Sequence, residues 1–78
     1  MSAWNDAGTR PDHPCLCETI FLDSTAVDEY RGLGFIEDPI YQVWNGKFFC
    51  EYSHDKDEAL NSHDRSMFQD VQWREVQP

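Results

Sequence analysis

Cysteine and histidine side chains give this sequence its best candidate for metal chemistry. Cys15-x-Cys17 and Cys50-x-x-x-His54 together provide three thiolates and an imidazole, and His13 stands nearby. Zinc accepts a set of three cysteines and one histidine. The spacing argues against zinc, because Cys15 and Cys17 would lie about 6–7 Å apart along a strand, whereas a knuckle turn brings paired sulfurs together. The alternative is that the cysteines are small, buried apolar side chains.

Covalent catalysis would need a cysteine or serine beside a histidine and a third group that orients the pair. The sequence contains no nucleophile elbow and no glycine-rich phosphate loop. Carboxylate pairs such as Glu37-Asp38 and Asp57-Glu58 are expected throughout so acidic a chain, and neither stands out as an acid and base. We therefore predict a binding protein, without a cofactor, rather than an enzyme.

The acidic residues dominate the charge of the chain. Fifteen Asp and Glu against six Lys and Arg give a formal net charge of −9. That charge repels nucleic acid and anionic membranes, whose binding needs Lys and Arg, and it attracts basic partners. Carboxylates on a rigid sheet can take the place of DNA phosphates, because Arg pairs with both groups through the same bidentate geometry. The alternative is that the charge only keeps the chain soluble.

We expect the partner-binding surface to combine carboxylates with exposed aromatic rings. The candidate carboxylates are Asp23, Asp28, Glu29, Glu37, Asp38, Glu51, Asp55, Asp57 and Glu58. Trp44 and Phe49 would supply the apolar contacts that charge alone lacks, unless another element buries them.

An Asn-Gly pair marks the strongest local signal for secondary structure. Ile40–Trp44 and Lys47–Tyr52 flank Asn45-Gly46, which predicts a β-hairpin with a type I′ turn. In that register one face of the hairpin suits the core, and the other face, which includes Gln42, Trp44 and Phe49, is half polar. The predicted core face carries Tyr41, Val43, Phe48, Cys50 and Tyr52.

The remaining elements are short. Residues 15–22 and 70–76 predict two further strands. Asp23-Ser24-Thr25 is a capping cluster and Gly32 a stop signal, so we predict a helix over Thr25–Arg31, and Asp55 is placed to cap a helical turn over residues 56–60. The chain of 78 residues thus predicts one α+β domain, residues 1–78, with a small antiparallel sheet of about four strands, a central hairpin and one or two short helices.

The N-terminal residues give no sign of export. Met1 to Asp6 lacks a basic start followed by an apolar run, and no segment approaches the ~20 apolar residues of a membrane span. An odd number of cysteines also suits a compartment that keeps thiols reduced. We therefore expect a cytoplasmic protein that does not bind membranes, either as a monomer or as a homodimer.

Several short motifs resemble a family of small phage and prophage domains of unknown function. They are Trp4, Arg10-Pro11, Trp44-Asn45-Gly46-Lys47-Phe48 and the closing Val71-x-Trp73-x-x-Val76-x-Pro78. The chain lacks the leucine that the family places between Arg10 and Pro11, and it lacks the histidine of the closing strand. The resemblance implies a phage setting and a small fold based on a sheet, and it implies no reaction.

A small, acidic, phage-like domain is also similar, as a class, to the anti-CRISPR inhibitors, several of which imitate DNA. The leading hypothesis is therefore a phage-encoded inhibitor that works in the host cytoplasm. Its carboxylates would bind the basic nucleic-acid-recognition surface of a defence complex, with a CRISPR effector as the suspected target. The alternatives are a small zinc-stabilised adaptor domain that uses Cys15, Cys17, Cys50 and His54, and a prophage accessory protein with an unrelated partner.

Overall fold

The computed structural model of the chain describes residues 4–76. Three strands and two helices follow one another as β1 (Cys15–Phe21), α1 (Thr25–Gly32), β2 (Ile40–Trp44), α2 (Lys56–Leu60) and β3 (Val71–Glu75). The strands form one antiparallel sheet in the order β2-β1-β3, so β1 is the central strand. The predicted combination of a small antiparallel sheet with two short helices is confirmed.

Both helices begin at the caps that the sequence predicts. The hydroxyl of Ser24 accepts the Val27 N–H at 3.2 Å, and the carboxylate of Asp55 accepts the Asp57 N–H at 2.8 Å. Each bond satisfies a donor that the first helical turn leaves without a partner, at a gain of about 1 kcal/mol. Among the described residues, neither helix is long or apolar enough to cross a membrane.

The main core lies on one face of the sheet, where Val27 of α1 and residues of the loops cover the strands. Ring contacts hold its centre, because Phe21 stacks on Phe68 with centroids 4.5 Å apart and meets Tyr52 edge-on at 5.3 Å. Burial of such rings is the main source of stability in so small a domain. The buried members of the core cluster are Cys17, Phe21, Val27, Ile36, Ile40, Trp44, Phe49 and Val71.

The turn after β2 differs from the predicted type I′ turn. That turn needs a positive φ at both central residues, whereas only Gly46 has one, at 97°. Asn45 instead uses its side chain, whose Oδ1 accepts the N–H groups of Lys47 and Phe48 at 2.9 Å each. A hydrogen bond of 3.2 Å from the Asn45 N–H to the Phe48 carbonyl closes the turn, one residue further along the chain than in the predicted hairpin.

The segment that follows this turn is not a regular strand. It meets β2 through the isolated bridges Trp44–Phe49 and Tyr41–Ser53, so the sheet of the described residues has three strands, not about four. Between these two bridges, one more residue lies on the returning segment than on β2. That excess is a β-bulge, and it interrupts the hairpin ladder.

A buried glutamine satisfies the backbone beside the bulge. The Nε2 of Gln42 donates to the carbonyls of Cys50 at 3.1 Å and Phe68 at 3.2 Å, and its Oε1 accepts the Thr19 hydroxyl at 2.7 Å. Gln42 has no exposed surface. Its side-chain amide therefore supplies hydrogen bonds to these two backbone carbonyls, which a regular fourth strand would have satisfied through its ladder.

The core face and the outer face of β2 are the reverse of those predicted, and Gln42 is on the core face. Ile40, Gln42 and Trp44 point into the core, whereas Tyr41 and Val43 are half-buried on the opposite face. The sequence argument took Gln42 as a sign of the outer face. The structure corrects this prediction, because three hydrogen bonds remove the cost of burying the amide.

Candidate binding surface

The two aromatic residues predicted to contact a partner lie in the core. Trp44 is 7% exposed and Phe49 is 0% exposed, and their rings meet with centroids 5.1 Å apart. The guanidinium of Arg10 covers Phe49, at 5.7 Å from the ring centroid. These rings stabilise the fold, and the predicted hot spots are therefore not available at the surface.

All nine predicted carboxylate residues are exposed, and the structure divides them into two groups. One group surrounds α1 within residues 22–38, and the other surrounds α2 within residues 51–58. α1 inserts Val27 into the core, whereas Lys56 of α2 lies 5.6 Å over the ring of Tyr41, on the opposite face of β2. The two groups thus lie on different sides of the sheet.

The carboxylates around α2 take part in local structure. Asp55 caps the helix, and the Oε2 of Glu58 accepts the Ser53 hydroxyl at 2.8 Å. Asp57 and Glu58 also stand in the first helical turn, where negative charge is favourable next to the helix dipole. Glu51 sits in the bulge and is exposed. This group therefore has a structural explanation.

Asp28 stands in the first turn of α1, where its charge is favourable next to the helix dipole. Within residues 4–76, none of the carboxylates around α1 accepts a side-chain hydrogen bond or meets a cation. Thr19 pairs with Ile40 across the sheet, so the end of β1 and the start of β2 lie at one end of the sheet, and Asp23 and Asp38 both flank that end. α1 leaves from that same end. We call this group the acidic face; its members are Asp23, Asp28, Glu29, Glu37 and Asp38.

Most of the basic side chains lie outside the segment that carries the acidic face. Segment 22–38 carries five carboxylates and a single basic residue, Arg31. Four of the six basic residues of the chain lie over aromatic rings outside that segment, at 4.4–6.0 Å from the ring centroids. Such contacts fix a cation in place. These four residues are Arg10, Lys56, Arg65 and Arg74.

An apolar groove adjoins the acidic face. It has a volume of about 320 Å³, and the core residues Phe21, Val27 and Phe68 form part of its lining. Asp23 and Asp70 stand among the polar residues of the same groove. A groove with this lining suits a side chain that has an apolar stem and a positive end, such as lysine or arginine.

Sequence reasoning missed the exposed apolar side chains around α1. Leu22 is 45% exposed, Leu33 66%, Phe35 58% and Met67 66%. Leu22 and Leu33 stand directly after β1 and α1, and Phe35 two residues further on, where the element no longer buries its residues. This position in the sequence could have predicted their exposure, because an apolar residue beyond the end of a strand or helix is not carried into the core by that element.

The four residues of the alternative zinc site, Cys15, Cys17, Cys50 and His54, are not brought together. The Sγ atoms of Cys15 and Cys17 lie 3.6 Å apart. Cys50 lies beyond β2, which separates it from Cys17 by two strand spacings, or about 10 Å. His54 is exposed, with Nδ1 3.3 Å from the Pro39 carbonyl oxygen. The structure therefore does not gather the four residues of the alternative zinc site around one point.

Within the described residues, a different group has the spacing of metal ligands. One ligand atom from each of His13, Cys15 and Glu75 lies within 4.8 Å of the others. Hydrogen bonds to Asp12 and Glu75 raise the pKa of His13, and the bond to His13 lowers the pKa of the Asp12 carboxyl. Burial raises the pKa of the Cys15 thiol, and that of Cys17 further still.

Comparison of the chain with family models, with curated proteins and with solved structures gives no match. The resemblance to the small phage domains stays a prediction, and its last motif residue, Pro78, lies outside the described residues. The extent of the single domain, residues 1–78, stays a prediction as well. Any functional proposal must therefore be supported by the surface itself.

Proposed function

We propose that the chain is a phage-encoded inhibitor of the anti-CRISPR type, which uses its acidic face to occupy a basic nucleic-acid-recognition surface. The observation that supports this proposal is the segregation of charge. The acidic face is exposed and has no internal partners within residues 4–76, while four basic side chains lie over rings elsewhere. A surface with one sign of charge steers a partner of the opposite sign towards it.

Binding would follow the chemistry that the partner uses for DNA. Arginine and lysine side chains that hold a target strand or read a PAM would pair with the carboxylates instead of phosphates. Asp28 and Glu29 are exposed on α1, so they can bind without breaking contacts of the fold. Phe35 and Met67 would add the apolar contacts, and the groove beside Asp23 would receive a basic side chain.

The proposal is tested by competition for DNA. Purified CRISPR effectors loaded with guide RNA are mixed with labelled target DNA and increasing amounts of the chain, and DNA binding is followed by mobility shift. We expect the chain to displace the DNA and to do so less effectively as salt rises, because salt screens exposed charges. The variant Asp23→Asn/Asp28→Asn/Glu29→Gln should inhibit about 10-fold less, at about 0.5 kcal/mol per exposed pair.

The matched control removes the same charge from exposed residues outside the acidic face. Glu51→Gln/Asp57→Asn/Asp64→Asn changes the net charge equally, and all three residues are exposed. It should inhibit as the unmodified chain does. Equal losses in both variants would show that only total charge matters, and failure to displace DNA from any effector would favour the prophage accessory protein with another partner.

A further inference from the structure

One end of the sheet brings together three potential metal ligands from separate parts of the chain. His13 precedes β1, Cys15 is the first residue of β1, and Glu75 is the last residue of β3. Because β1 and β3 are antiparallel, with Cys17 opposite Glu75, the start of one strand meets the end of the other. The ligand atoms lie within 4.8 Å of one another, with the Nε2 of His13 3.0 Å from the Oε1 of Glu75.

The surroundings of His13 match those of a metal-binding histidine. Its Nδ1 is 2.6 Å from the Oδ1 of Asp12. Histidines that bind metals through one ring nitrogen usually donate the other N–H to a carboxylate, which fixes the tautomer and the orientation of the ring. With Nδ1 directed at Asp12, Nε2 is the nitrogen that faces the Glu75 carboxylate and is left to bind a metal.

We propose that His13, Cys15 and Glu75 bind a Zn²⁺ ion, through Nε2, Sγ and a carboxylate oxygen. Zinc takes nitrogen, sulfur and oxygen ligands in this combination, at about 2.0–2.3 Å, which sets neighbouring ligand atoms about 3.3–3.7 Å apart in a tetrahedron. The side chains of His13 and Glu75 are 54% and 46% exposed, so they are free to move by the remaining distance. Cys15 releases its thiol proton to solvent on binding.

Cys17 lies next to the proposed zinc site but is not one of its three ligands. Its sulfur lies 3.6 Å from the sulfur of Cys15, and it is fully buried. Its S–H is therefore placed to donate to the Cys15 thiolate, as outer groups do around metal-bound sulfur. Three protein ligands would leave the fourth position of a tetrahedral zinc ion to water, as in other zinc sites with three protein ligands.

Cobalt(II) titration of the reduced, purified chain tests this site, because Co²⁺ replaces zinc and reports a bound thiolate by a charge-transfer band in the near ultraviolet. We expect one equivalent of Co²⁺ to produce the band and one equivalent of Zn²⁺ to abolish it. Cys15→Ser should lose the band, and His13→Ala and Glu75→Gln should each weaken binding at least 10-fold. Asp12→Asn should weaken binding about 10–100-fold, as other outer-shell changes do.

Cys50→Ser is the matched control, because Cys50 is a buried thiol on the far side of β2. It should keep the charge-transfer band, and circular dichroism should show all variants folded. His13 is exposed, so its substitution tests the site even where Cys15→Ser affects folding. Cobalt binding without the band would identify carboxylates alone and overturn the proposal, as would a band that survives in Cys15→Ser.

Discussion

Replacement of Gln42 by leucine should remove a large part of the stability of the domain. The change keeps a side chain of similar size but leaves three groups without their partner, namely the buried Thr19 hydroxyl and Cys50 carbonyl and the partly buried carbonyl of Phe68. Each such group costs about 1–3 kcal/mol, and leucine recovers part of this through apolar burial, so we expect a net loss of about 4 kcal/mol. A chain of 78 residues has about 4–12 kcal/mol in total.

The assay is urea unfolding followed by tryptophan fluorescence, with the free energy of unfolding extrapolated linearly to water. Gln72→Leu is the matched control: Gln72 lies in β3, is only half-buried and has no side-chain hydrogen bond within residues 4–76. It should change the free energy by about 0.5 kcal/mol or less. The double variant Thr19→Val/Gln42→Leu should lose less than the sum of the single changes, because it removes the orphaned hydroxyl.

The outcome that refutes this reasoning is a loss in Gln42→Leu no larger than that in Gln72→Leu. Such a result would mean that water or a local rearrangement satisfies the two carbonyls at little cost. The bulge would then not depend on the buried amide.

Two further predictions concern the turn and the alkaline limit of stability. Gly46→Ala should cost about 1–2 kcal/mol because φ is 97°, whereas Gly32→Ala, at the end of α1, should be neutral or stabilising; both are measured by urea unfolding. Burial raises the pKa of Tyr52, whose hydroxyl donates to the Phe35 carbonyl at 2.8 Å. The folded state therefore holds this proton more tightly, and stability should fall as pH rises above the ordinary tyrosine pKa. Tyr52→Phe should show a shallower fall, and an unchanged slope would contradict the assignment.

Elements with complete local signals were predictable. The helix over Thr25–Gly32 has a capping serine, an acidic residue in its first turn and a terminal glycine, and the predicted helix differed by one residue. The shorter helix was recognisable from Asp55 alone. In both cases the deciding contact joins residues two or three positions apart, so the sequence contains both partners side by side.

The hairpin was only partly predictable, because its structure depends on contacts between residues that are far apart in the sequence. Asn-Gly marked the turn correctly, but Asn45 uses its side chain instead of a positive φ, which makes the turn longer. Gln42 looked like a surface residue because its partners are 8, 23 and 26 residues away in the sequence. The exposure of each carboxylate of the acidic face was predictable, since each stands in or next to a helix or loop. That these carboxylates are separate from those around α2 could be seen only from the topology of the fold.

The two outer edges of the sheet have consequences for how this domain can meet other chains. On β3, Trp73 exchanges backbone hydrogen bonds with Asn5, at 2.8 and 3.2 Å, and on β2, Tyr41 does so with Ser53, at 2.8 and 3.0 Å. A foreign strand would have to displace these residues before it could extend the sheet. Edges occupied in this way protect a small domain from edge-to-edge aggregation. They also require that a partner be recognised through side chains, since strand addition offers no open backbone at these positions.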